Sequence, residues 1–202
     1  MIFEIIFFSL LSIIISLIVL FVQKKTLDFS KYHVKIRGYK VLILMAVIEI
    51  TAEFMFKKYT DSTFSSILSL NWIIYIGLLY VSLINIKKSY MMLFFLGTVM
   101  NFIAIAANGF KMPVYIPDTL LNSEAQKLFL LSGKDLIHSL LTEDTKFKFL
   151  CDIFTLQSPY PFPKTISIGD IFLLSGIYAF WQELFLESSV KTLTYKQSMK
   201  QQ

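Results

Sequence analysis

IFEIIFFSLLSIIISLIVLFV (Ile2–Val22), followed by QKKTLDFSKYHVKIRGYK over residues 23–40, fixes the fold class. The first piece has the roughly 20 apolar residues needed to cross a bilayer as a helix. It carries no basic segment ahead of it and no small-residue cleavage site, since Leu20, Phe21 and Val22 lead straight into Gln23. It therefore reads as a retained span and not as a removable leader. The second piece holds Lys24, Lys25, Lys31, Lys35, Arg37 and Lys40, the densest positive loop in the chain. Such loops stay on the cytoplasmic side.

Working outward from that anchor, apolar runs recur at about 41–56, 67–86, 89–107 and 168–186, each approaching membrane-spanning length. The expected architecture is an all-α integral membrane protein of five transmembrane helices. It forms one membrane domain over residues 1–202, with the N-terminus outside and the C-terminus cytoplasmic. Threading five spans puts Lys87, Lys88, Lys191, Lys196 and Lys200 inside and the long segment 108–167 outside. Lys57 and Lys58 dissent from the charge rule, and lysines at a helix end can snorkel to headgroups.

Composition agrees with this class. Fifty-five per cent of the 202 residues are hydrophobic, and mean hydropathy is +0.64. The formal charge of +5 is the lysine excess of a membrane chain, with no aromatic-interleaved basic stripe that would imply nucleic acid. The single cysteine, Cys151, excludes an intrachain disulfide. The two histidines, His33 and His138, fall on opposite sides of the membrane in this topology, so no metal site is expected. A glycine-rich phosphate loop and a G-x-S-x-G elbow are both missing, and no cofactor is implied.

In the outer segment, Ser123 followed by Gln126 has the spacing of a capping box, opening a short helix EAQKLFLLS that Gly133 would close. The next piece, DLIHSLLT, places Leu136, Ile137, Leu140 and Leu141 on one stripe, with Asp135 and His138 elsewhere. That pattern predicts a second amphipathic helix lying on the outer leaflet or over the bundle mouth. AANGFKMPV ends the fourth span: Asn108 and Gly109 permit a left-handed cap, and Pro113 forbids helical continuation.

Polar residues inside or beside spans are the candidate functional groups. Glu49, Glu53 and Lys57 share one face of the second span, suited to an ion pair or to a polar wall. Asn101 in the fourth span can bond across helices or orient a carboxylate. Asp170 in ISIGDIFLLSGIYAF can cap the fifth span. Asp152 lies in apolar FLCDIF and is returned toward Asp170 by a segment stiffened by Pro159, Pro161 and Pro163. Two carboxylates at one membrane mouth, close enough to repel, split their titration so that one keeps a proton near neutrality. One can then activate water while the other protonates a leaving amine, as in aspartic proteases.

The boxes Ala107–Val114 (A-N-G-x-x-M-P-V) and Ser167–Asp170 (S-x-G-D) resemble those of a bacterial family of multispanning membrane proteins of unknown function. More remotely, the C-terminal half is similar to signal peptidase II, the membrane aspartyl peptidase of prolipoproteins. Asp152 in CDIF and Asp170 in ISIGDIF match the order and spacing of its two catalytic aspartates. Gly97 and Asn101 match a Gly and Asn of its middle box, and Glu53 and Lys57 echo an early acid-to-lysine pattern. Ala104 and Ile105 stand where that peptidase has Asp and Arg, and Ser167 where it has Asn. The resemblance implies a hydrolase of the bacterial cytoplasmic membrane acting near the outer leaflet. Asp152 and Asp170 would be its dyad, Asn101, Asn108, Ser167, Glu53 and Lys57 its supporting residues, and a membrane-anchored peptide or lipoprotein its substrate. The alternative is a non-catalytic membrane protein binding a lipid or peptide, as a partner subunit, immunity factor or sensor. In that case Asp170 is only a cap and Asp152 pairs with Lys111 or Lys164.

Overall fold

A computed structural model describes residues 2–28, 35–58, 71–135 and 137–191. Among the described residues the α-helices are α1 (Ile2–Val22), α2 (Tyr39–Lys58), α3 (Asn71–Ile84), α4 (Ser89–Ala107), α5 (Ser123–Leu131) and α6 (Ile168–Glu187). Two helical segments among the described residues, Phe3–Val22 and Ser89–Ala107, are long and apolar enough to cross a membrane. The first four residues of the run expected at 67–86 fall outside the described residues.

The long helices neighbour one another in the order α1, α6, α4, α3, α2. Small and polar residues let them approach. In the α1–α6 contact, Ser12 Oγ donates to the Tyr178 carbonyl (2.8 Å) and Gln182 Nε2 donates to the Ser12 carbonyl (3.0 Å). Asn85 closes the turn after α3 by accepting from Arg37 N (3.0 Å) and donating to Arg37 O (2.8 Å). These contacts give the bundle two ends. One end gathers the Arg37–Asn85 contact and the antiparallel sheet of β1 (Lys25–Leu27) with β6 (Ser189–Lys191). The other receives the starts of α1 and α6, the end of α4 and the segment 108–167.

That segment corrects the all-α expectation. It contains two further two-stranded sheets: β2 (Met112–Val114) with β3 (His138–Leu140), parallel, and β4 (Phe154–Leu156) with β5 (Lys164–Ile166), antiparallel. Within DLIHSLLT, His138–Leu140 is therefore a strand and not part of a second helix. Its apolar residues fit a short strand as well as a helical stripe, and β2 supplies ladder partners that local periodicity cannot reveal. The capping box expected at Ser123 is not formed either. Asn122 holds the cap position in the left-handed region (φ 58°) with no side-chain bond, and Ser123 is the first helical residue. Gly133 does follow α5 in the left-handed conformation (φ 70°).

Candidate active site

Asp170 is placed by its helix. Ser167 Oγ accepts from Asp170 N (2.9 Å) and Ser167 N donates to Asp170 Oδ2 (3.3 Å), a reciprocal capping box at the start of α6. Asn101 on α4 then donates Nδ2 to Asp170 Oδ1 (2.9 Å) and accepts from Ser167 Oγ through Oδ1 (2.8 Å). Asn101 and Ser167 are almost wholly buried, at 1% and 0% exposure. The Asp170 carboxylate thus accepts from both sides and is fixed in one orientation. This contact exists because α4 and α6 cross at glycines: a Cβ on Gly97 would stand 2.6 Å from the Gly169 carbonyl oxygen, and one on Gly169 would stand 2.6 Å from Asn101 Cγ.

Asp152 is placed by backbone. Its N–H donates to the Pro113 carbonyl (3.1 Å) and its carbonyl accepts from Tyr115 N (2.9 Å), adding residue 152 to β2 as a parallel bridge opposite Val114. The A-N-G-x-x-M-P-V box acquires a structural meaning here. Asn108 joins the end of α4 to the chain before Asp152, donating to Ala104 O (2.8 Å) and Lys146 O (2.9 Å) and accepting from Lys146 N (2.9 Å). Gly109 and Phe110 take left-handed conformations that turn the chain into β2.

Both aspartates line one cavity of about 1030 Å³, together with Asn101, His138, Asp135 and Lys164. Its remaining wall is largely apolar and includes Phe3, Tyr75, Met112, Val114 and Leu130. Asp152 is 6% exposed, and its Oδ1 has no hydrogen-bond partner among the described residues. Burial, then the negative charge of Asp170, pushes the Asp152 carboxyl up to about 7, against the opposing charges of His138 and Lys164. Burial and the Asp152 charge likewise hold the neighbouring Cys151 thiol up at about 11, so it is not a ready nucleophile.

Of the expected site residues, Asp152, Asp170 and Asn101 line the cavity, and Ser167 supports them from behind. Asn108 does not line it and acts on the outer segment instead. Glu53 and Lys57 occupy successive turns of α2, and their side chains lie outside the described residues. Among the described residues, neither lysine considered as a partner forms an ion pair with Asp152. Lys111 donates to the Gly133 carbonyl (3.2 Å) and the Asp135 carbonyl, and Lys164 pairs with Glu4 Oε1 (3.0 Å).

Sequence reasoning missed Asp135 and His138 as members of the cavity wall. Their i, i+3 spacing is the available signal, but reading the segment as an amphipathic helix leaves both residues off its apolar stripe with no assigned role.

Residues 33–182 match a family of unknown function, DUF5317. The chain belongs to the DUF5317 family. The match runs from before α2 into α6 and includes every polar residue of the cavity named above, so the resemblance to an uncharacterised family holds. DUF5317 membership carries no activity with it. No curated protein and no solved structure matches the chain.

Proposed function

We propose that this protein is a membrane-embedded aspartyl hydrolase, a peptidase acting near the outer leaflet with Asp152 and Asp170 as its dyad. The observation that carries the reading is the contrast between the two carboxyls within one cavity. Asp170 accepts hydrogen bonds from Asn101 and Ser167, while buried Asp152 has an unpartnered oxygen and is held up near 7. Asp170 then takes the proton of an attacking water. Protonated Asp152 donates to the leaving amine, and the proton gained by Asp170 restores the pair afterwards.

The five-span topology belongs to the same proposal. Ile6, Leu10, Ile14 and Ile18 form a ladder of exposed apolar side chains along α1, and Ile43, Val47, Ile50 and Phe54 are exposed along α2. A lipid environment would cover both faces, which water would leave bare. The starts of α1 and α6 share one end with the outer segment. Lys24 and Lys25 at the other end fit a cytoplasmic side, in a multi-pass protein of the bacterial inner membrane. An apolar-walled cavity with an acid pair suits a membrane-anchored peptide or lipoprotein. A protein that merely binds a lipid or peptide would use the same walls without needing the pair.

The pH profile tests the assignment. The donor role requires Asp152 protonated, a state present below its pKa and lost as pH rises through about 7. Cleavage of lipid-anchored reporter peptides in proteoliposomes should therefore show kcat falling on the alkaline side near pH 7. A rate that keeps rising well above that value contradicts a donor role for Asp152.

A further inference from the structure

We infer that His138, braced by Asp135, is a positioning residue of this site, its imidazolium facing the two aspartates and governing which of them carries the shared proton. The inference rests on the dyad reading above and deepens it.

The strand register supplies the geometry. His138 on β3 stands opposite Met112 on β2, and Asp152 stands opposite Val114, two residues further along. Because strand side chains alternate between faces, Met112 and Val114 share a face, and their partners project with them. All four line the cavity. The small sheet therefore presents His138 and Asp152 to the same space from the two flanks of β2, each held to it by backbone hydrogen bonds.

Asp135 holds the imidazole. Its Oδ1 accepts from Ile137 N and His138 N (both 2.8 Å), closing the turn after α5, and its Oδ2 lies 3.3 Å from His138 Nδ1. The carboxylate thus fixes the ring through Nδ1 and leaves Nε2 to serve the cavity. Burial works against the charge on His138, but the hydrogen bond and charge of Asp135, then the charges of Asp152 and Asp170, raise it above its ordinary value. Burial also works against ionised Asp135, yet its bonds to His138 and Ile137 hold it at about 2.

The charged surroundings of Asp152 come from several elements. Asp170 is on α6, His138 on β3 with Asp135 behind it, and Lys164 on β5 with Glu4 of α1 upon it. Lys164 already has a carboxylate partner. Histidine is the side chain whose charge ordinarily changes between about pH 5 and 8, and that range holds the Asp152 value of about 7.

The test uses the full chain in lipid nanodiscs and follows carboxyl protonation by infrared spectroscopy across pH, with Asp152→Asn identifying the Asp152 band. His138→Gln removes a cation and should move the Asp152 midpoint up by roughly one unit. His138→Lys keeps a cation at every pH and should move it down. A midpoint unmoved in both variants overturns the inference while leaving the dyad intact. Absence of any Asp152 band titrating near neutrality overturns the dyad, and the inference with it. Histidine NMR on unaltered His138 gives an independent arm: the chain has two histidines, so assignment is direct. Because coupling is mutual, Asp152→Asn should lower the His138 midpoint, and an unchanged one counts against the inference. A purely structural His138 would alter thermal stability and neither titration.

Discussion

Replacing either aspartate with asparagine should lower turnover of lipid-anchored reporter peptides by about 10²–10⁴-fold, the usual contribution of a positioned acid or base. Fold and membrane insertion should survive. At Asp152 the asparagine is close in shape to the protonated acid, and the buried oxygen that lacks a partner in the parent protein gains no new conflict. At Asp170 the amide oxygen can still accept from Asn101, so the α4–α6 contact is kept. The two losses should be far from additive, because each residue works only through the other. The double variant should be little worse than either single one. Turnover that persists in a folded single variant removes the dyad, and the cavity is then a binding site for lipid or peptide.

Gly169→Ala should have the largest effect on the structure. The added methyl enters the space of the Asn101 carboxamide and would stand 2.8 Å from the Gly97 backbone carbonyl, which belongs to a helix and cannot swing aside. Overpacking of this kind costs about 1–3 kcal/mol. Displacing Asn101 would also strip hydrogen bonds from Asp170 and Ser167, and a buried polar group left unpaired costs about 1–3 kcal/mol more. Thermal unfolding in detergent should show a clear loss of stability, with turnover lost as well. Alanine at Gly133, where nothing lies within 4 Å of the added carbon, meets no such contact and pays only for its left-handed backbone. A Gly169→Ala protein as stable and active as its parent would show that the helix crossing does not hold the site.

The helical bundle was legible in the sequence because apolar runs of membrane length announce themselves without tertiary information. The expected ranges 2–22, 89–107 and 168–186 coincide closely with α1, α4 and α6. The aspartate pair was legible for a different reason: an acid in an apolar stretch and an acid opening a helix are both locally unusual. Asn101 stood out as an amide inside a span, and Ser167 through the S-x-G-D box. In the outer segment α5 and the left-handed turns at Gly109 and Gly133 were legible, and the strands were not. β2 and β3 are three residues each and separated by α5, so their pairing is a non-local event that no window of sequence encodes. His138 was assigned to a helix face for that reason, and its alignment with Asp152 depends wholly on the register of that pairing. Asn108 was read as a site residue and instead secures the chain before Asp152, a role visible only once Lys146 is brought back to the end of α4.

The proposed mechanism has Asp152 and Asp170 acting on each other in one largely apolar cavity. Its most direct test is the protonation of Asp152 followed by infrared spectroscopy in the parent protein and in Asp170→Asn. The expected result is an Asp152 carboxyl that keeps its proton to about pH 7 in the parent and loses it at distinctly lower pH once the Asp170 charge is gone. An Asp152 that is already ionised at pH 5, or whose midpoint ignores the loss of Asp170, would contradict it.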